Sequence, residues 1–187
     1  MDLFQRLLAM RQLQFKEGEI DLLGQRIVMS PRDTLVGVTE FLTKNPELVP
    51  GMYETIRCSF GSGWASAVKK SYGFSTKDYI KWLIDISNIA GWGKSELVKY
   101  DIDTDIGVFR TFNPLIGSQF IGKSTVPVDH IWRALTAGGQ TRVFDKEMDW
   151  IETQCVATGS PFCEFVFKPR KSITLAEREK YPGQLPV

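Results

Sequence analysis

Glu152, Cys155 and Cys163 carry the most specific chemistry in this 187-residue chain. They fall in the stretch MDWIETQCVATGSPFCEFVF, residues 148–167. Two strand-like runs, 148–157 and 162–167, flank Thr158, Gly159, Ser160 and Pro161, which supply turn chemistry, and Gly159 is free to take a positive φ. A hairpin centred near Gly159 sets Cys155 opposite Cys163. Directly opposed residues hold their Cβ atoms roughly 4.5–5.5 Å apart, so the two sulfurs can meet. Glu152, one strand step and a bulge away, can join them. The thiols either stay reduced in a core or close a disulfide across the hairpin, and a reducing compartment disfavours the second.

Composition bounds what surrounds these residues. A chain of this length with 43% hydrophobic residues can bury one good core, so a single domain is expected. Basic and acidic residues nearly cancel (23 against 22), and no basic run stands out, which argues against nucleic acid or anionic membrane as the main partner. Three cysteines do not make a disulfide scaffold. MDLFQRLLAM, with its early Arg6, lacks a signal-peptide pattern, and no apolar stretch approaches the roughly 20 residues that span a bilayer. A soluble cytoplasmic protein is expected.

The elements that must position the hairpin follow from periodicity. Residues 1–13 read as a terminal helix whose apolar stripe (Leu3, Phe4, Leu7, Leu8) needs the body or a second subunit to cover it. Residues 15–29 read as two short strands around Gly18 and Gly24, with Ile20, Leu22, Ile27 and Met29 as inward candidates. Pro31 opens a helix through Thr43 that presents Leu35, Val38, Phe41 and Leu42. Residues 47–72 read as one helix with Leu48, Met52, Ile56, Phe60, Trp64 and Val68 at four-residue spacing. Its small-residue side (Gly61, Gly63, Ala65, Ala67) suits either a second helix or a ligand lying against it. On the same helix, Cys58 is either a small buried hydrophobe or a lipid attachment point. Ser75 and Asp78 cap a helix over 76–90. Strands are predicted over 95–103 and 105–112 with a tight Asp103-Thr104 turn. A loop or lid follows over 113–126, then a helix over 127–144 with small residues Ala134, Ala137 and Gly138. The final stretch, 169–187, reads as a polar exposed tail with one helical turn at Leu175–Lys180.

The hairpin also carries a resemblance. Glu152-x2-Cys155-Val-Ala-x-Gly159, followed by Phe-Cys163-x-Phe165, resembles the E-x-x-C-x-A-x-G-x-P-x-C-x-F ending of the 4-vinyl reductase domain. Glu19-Ile20-x3-Gly24-x-Arg26 and the helices near Gly61 and Ala137 are similar to the same family upstream, so that the match spans about residues 15–168. The family includes archaeal hydrocarbon-binding proteins, sensor domains of bacterial aromatic-responsive regulators, a bacteriochlorophyll-pathway protein and subunits of the TRAPP tethering complex. The resemblance implies an α/β (α+β) fold, a four-stranded antiparallel sheet packed with helices as in TRAPP subunits, here with an added N-terminal helix and short hairpin. It also implies a homodimer and an apolar pocket. In the aromatic-sensing branch it implies a zinc site made by a Cys, the motif Glu and the two motif Cys. Glu152, Cys155 and Cys163 match. Where the remaining Cys should fall, this chain has Asp129 and His130, and either can ligate zinc. With four protein ligands such a zinc is structural, leaving no position for a reactive water.

Catalysis is not expected. The chain has no nucleotide-binding glycine fingerprint after a strand, no P-loop and a single histidine, His130. Asp101, Asp103 and Asp105 alternate near a turn but lack the Gly and distal Glu of a calcium loop. The expected function is non-catalytic binding of a hydrophobic or aromatic small molecule by a 1–168 domain, as sensor or carrier. Trp64, Trp82, Phe109, Phe120, Ile121, Trp132 and Trp150 are the pocket candidates, although aromatic stripes also make plain cores. The alternative is a TRAPP-like scaffold subunit acting through its dimerisation surfaces. A third reading is an effector domain whose DNA-binding or ATPase partner is a separate protein.

Overall fold

In a computed structural model, which describes residues 3–185 with the side chains of Leu3 and Phe4 left aside, the core is a four-stranded antiparallel sheet. Its strands β4 (Lys94–Asp101), β5 (Ile106–Phe112), β6 (Met148–Gln154) and β7 (Cys163–Pro169) lie in the order β4-β5-β7-β6. The register sets Phe109 opposite Phe165, and Phe165 opposite Glu152; Phe167 is likewise flanked by Gly107 and Trp150. One face of the sheet therefore carries Phe109, Phe165, Phe167, Trp150 and Glu152, all fully buried. Trp150 stacks on Phe167 with 5.5 Å between ring centroids and donates its indole N–H to Gln140 Oε1 at 2.7 Å. Gln140 belongs to α6 (His130–Phe144), which crosses this face. An α+β architecture with a four-stranded antiparallel sheet is what the sequence led us to expect.

The described residues contain six further α-helices. They are α1 (Leu3–Ala9), α2 (Arg32–Lys44), α3 (Val49–Phe60), α4 (Ser66–Tyr72), α5 (Thr76–Ile89) and α7 (Leu175–Lys180). Three short strands, β1 (Leu13–Lys16), β2 (Glu19–Leu22) and β3 (Gln25–Ile27), form a separate sheet.

Several boundaries move for identifiable reasons. The first helix stops at Ala9 and Leu13 starts a strand, because Arg11 adopts a left-handed φ of 55°. Three strands replace the expected two around Gly18 and Gly24, and Met29, expected inside, is exposed. The expected single helix over 47–72 is α3 and α4 joined by a π-helical turn, Gly61–Ala65. There the alternatives for its small residues resolve in favour of helix packing. A β-carbon on Gly61 would stand 2.8 Å from the Gly138 carbonyl oxygen of α6. Cys58 is exposed rather than buried. The turn after β4 is longer than expected, because Asp101 Oδ1 accepts from the Asp103 and Thr104 amides and ends the strand.

The end of the chain departs most from its sequence reading. Residues after β7 form a 3₁₀ turn and then the expected helical turn, α7, with a Thr174–Glu177 capping box, but instead of staying exposed the chain folds back to bury Gln184 and Leu185. Composition misled here, since one amide and one leucine make the anchor in an otherwise polar stretch. Met1, Asp2, Pro186 and Val187 lie outside the described residues.

Candidate functional site

At the β6–β7 connection the strand ends at Gln154, three residues earlier than expected, and Val156–Thr158 turn as a 3₁₀ helix with Gly159 at φ 97°. A register shift between Glu152 and Gln154 supplies the bulge. The Cys163 and Cys155 sulfurs come to 3.6 Å. Glu152, from the same strand, turns toward the start of α6, where Asp129 stands at the N-cap position. The ligand atoms of Asp129, Glu152, Cys155 and Cys163 all lie within 4.8 Å of one another, and all four residues are buried.

Each carboxylate is held by one oxygen and offers the other. Asp129 Oδ1 accepts from the Gly117 amide at 3.2 Å, while Oδ2 lies 3.1 Å from Cys163 Sγ. Glu152 Oε2 accepts from the Asp129 amide at 3.0 Å, while Oε1 is buried with no protein partner among the described residues. The Val156 amide donates to Cys163 Sγ at 3.3 Å. Backbone amides thus fix the orientation of three of the four groups, as outer partners do around metal ligands.

The electrostatics show how ill-suited this cluster is to standing alone. Burial raises the Asp129 carboxyl above its ordinary range and raises that of Glu152 further. The hydrogen bond from Cys163 lowers the Cys155 thiol to about 7, while donating it raises Cys163. Two carboxyls and two thiols crowded together without water must retain protons or share a cation. A two-thiolate, two-carboxylate set with the carboxylates free to bind through one oxygen each matches a four-coordinate zinc site. The loop bearing Gly117 leaves room for it. A β-carbon there would stand 2.8 Å from Asp129 Oδ2 and 3.2 Å from Cys163 Sγ. The residues fit the ion.

His130 is not in the cluster. Its Nδ1 faces the Arg133 guanidinium at 3.0 Å, and burial lowers its pKa to about 3. Of the two expected candidates, the structure brings Asp129 to the site.

The seven pocket candidates fall in several groups of touching rings. Phe109 and Trp150 meet on the sheet at 5.1 Å. Trp64 and Trp82 meet at 5.3 Å among Phe60, Tyr72, Phe74 and Tyr79. Trp132 stacks on Trp92 at 4.9 Å. Phe120 is buried in a 3₁₀ turn, whereas its neighbour Ile121 is 60% exposed and points away from any interior. Nothing in the residue pattern pointed to Gly117, Arg133 or Gln184.

Neither family models nor curated proteins match this chain. Solved structures do. The crystal structure of the phenol-responsive sensory domain of the transcription activator PoxR with phenol matches with a TM-score of 0.77 at 18% identity, covering 100% of both chains. The fold is shared. A vinyl-4-reductase family protein from Methanocaldococcus jannaschii matches with a TM-score of 0.51 at 17% identity, over 76% of this chain and 83% of that one. A trafficking protein particle complex subunit 3 from Naegleria fowleri, covalently bound to palmitic acid, matches at 0.53 and 10% identity, over 74% and 92%. The architecture is therefore the one common to 4-vinyl-reductase-related proteins, TRAPP subunits and this sensory domain. No described helix is long and apolar enough to cross a membrane.

Proposed function

We propose that the chain is a non-catalytic sensing domain for a small aromatic or otherwise hydrophobic molecule, pinned by a structural zinc at Asp129, Glu152, Cys155 and Cys163. The observation that carries the reading is a set of orphaned donors inside an aromatic interior. Trp64 Nε1, Trp82 Nε1, Trp132 Nε1 and Gln140 Nε2 are buried without a protein acceptor among the described residues. Buried donors are nearly always satisfied, and each left unpaired costs on the order of 1–3 kcal/mol. A ring-bearing ligand with an oxygen acceptor would answer both the apolar walls and these donors. The end-to-end likeness to a phenol-responsive domain supports the same class of ligand.

A homodimer fits the N-terminal region. Phe15, Val28, Met29 and, on α2, Phe41 are exposed, and a surface groove of about 570 Å³ runs between Phe15 and Met29. Exposed apolar patches of this kind mark contact surfaces.

The test is a matched ligand series (phenol, acetophenone, toluene and a long-chain alcohol) read by thermal shift and calorimetry, with native mass spectrometry of the freshly purified protein. Saturable binding of the oxygen-bearing aromatics, weaker for toluene, is expected. No binding and no co-purified molecule would overturn the sensor reading in favour of a TRAPP-like scaffold.

A further inference from the structure

Arg133 is fully buried, yet every hydrogen bond it makes among the described residues goes to a neutral group. Nη1 donates to the Trp150 carbonyl at 2.8 Å; Nη1 and Nη2 both donate to the Gln184 carbonyl at 3.1 Å; Nη2 faces His130 Nδ1. Nε has no partner among the described residues, and the ring of Tyr53 lies 5.0 Å from the guanidinium carbon. An interior cation without a bonded anion is costly. The negative groups whose fields reach it are Glu152, Asp149 and Asp129, and two of these are cluster residues.

Gln184 links the same two places. Its backbone carbonyl caps Arg133, while its side-chain amide grips Glu152, accepting from the Glu152 amide at 2.8 Å and donating to the Glu152 carbonyl at 2.9 Å. Strand β6 is the outer strand of the sheet, so Gln184 stands in for a missing strand neighbour at the residue whose carboxylate enters the cluster. Leu185 is buried beside it.

We propose that the C-terminal segment 181–185 is a strap whose docking is coupled to metal occupancy of the cluster, with Gln184 as the positioning residue for Glu152. The inference rests on the zinc reading given above. A divalent ion bound through Glu152 Oε1 holds the Glu152 backbone where Gln184 reaches it. The four acidic ligands around that ion leave a net negative centre, which supplies Arg133 with its counter-charge and keeps the Gln184 carbonyl bound. Removing the ion leaves the Glu152 carboxylate held by the Asp129 amide alone and weakens both grips, so the strap lifts. The coupling runs both ways, because an interaction that favours the loaded state must itself be favoured by loading.

Hydrogen exchange of the full chain, zinc-loaded and chelator-stripped, tests the coupling, with metal content measured on both samples. The Glu152 amide is the reporter, because Gln184 is its acceptor. Stripping is expected to speed its exchange by roughly tenfold or more while the Phe165 and Phe109 amides change little. Gln184→Ala, kept zinc-loaded, is expected to show the same fast Glu152 exchange, roughly tenfold weaker zinc binding and an altered Co²⁺ absorption spectrum. Unchanged Glu152 exchange on stripping a protein that held zinc overturns the strap. Should stripping unfold the whole chain, the variant decides: unchanged zinc affinity and Co²⁺ spectrum in Gln184→Ala overturn it, and weakened binding supports it. A wild-type protein that takes up neither zinc nor Co²⁺ defeats the metal reading itself, a result distinguishable from a loaded site with an indifferent strap.

Discussion

Gly117 lies so close to Asp129 that its amide bonds one carboxylate oxygen while its missing side chain leaves space beside the other. A methyl group at 117 would stand 2.8 Å from Asp129 Oδ2 and 3.0 Å from Val156 Cγ2, closer than side-chain carbons are tolerated in a packed interior. Gly117→Ala is therefore expected to push Asp129 out of the cluster and lower zinc affinity by at least about tenfold, as mis-set outer partners do. Gly51→Ala, in α3 with open space around it, should leave zinc unchanged and raise stability by roughly 0.5–1 kcal/mol through helix propensity. Zinc competition titrations on both variants check the pair.

Metal removal should cost stability across the whole domain, because the cluster ties the β6–β7 connection to the start of α6 and, through Gly117, to the 113–126 loop. An ion bound only by the native state contributes about 2.7 kcal/mol when present at a hundredfold excess over its Kd. A chelator is expected to lower the melting temperature by several degrees, and zinc to restore it. In Cys163→Ala, which removes one of the four proposed ligands, neither addition should matter. Calorimetry with and without zinc reads both.

What was legible in the sequence was local. Glu152, Cys155 and Cys163 share one hairpin, and a two-residue period with a glycine turn is enough to bring them together. The choice between Asp129 and His130 was not legible. It depends on the α6 N-terminus, where one residue of rotation sends Asp129 to the thiols and His130 to Arg133. Gln184 was hidden for another reason. A tail rich in charge and proline reads as solvent-exposed, yet a single amide can complete an edge strand, and hydropathy does not register that kind of contact. Of the seven pocket candidates Ile121 alone is exposed, because periodicity marks an apolar position without saying which way a short turn presents it.

Where α3 and α6 cross, Gly61 and Gly138 let the two backbones touch. A β-carbon on either would run into the carbonyl of the opposite helix, and a carbonyl cannot move aside as a flexible side chain does. Gly61→Leu is expected to destabilise the fold by about 1–3 kcal/mol or more. Gly63→Ala, two residues on and with nothing within 4 Å, should be neutral or mildly stabilising. Urea unfolding curves separate the two outcomes. A Gly61→Leu variant as stable as wild type would show that the crossing can open.

Acid should act through Glu54. Its carboxylate receives hydrogen bonds from Arg57 at 2.5 and 3.0 Å and from Arg170 at 2.8 Å, and the Arg57 bonds, with those of Arg170, hold its pKa well below the ordinary 4.5. A carboxyl whose folded pKa is depressed binds fewer protons folded than unfolded. Its stabilising contribution is therefore complete above about 4.5 and is lost as pH falls from there through the folded value. Because Glu54 is about one-third exposed, solvent screening keeps that contribution modest. Comparing wild type with Glu54→Gln isolates it from other carboxyls that titrate in the same range. Wild type should be the more stable of the two at pH 6, and the gap should be narrower at pH 3. Denaturation midpoints at the two pH values check the sign, and a gap that widened on acidification would place the proton-linked stability elsewhere.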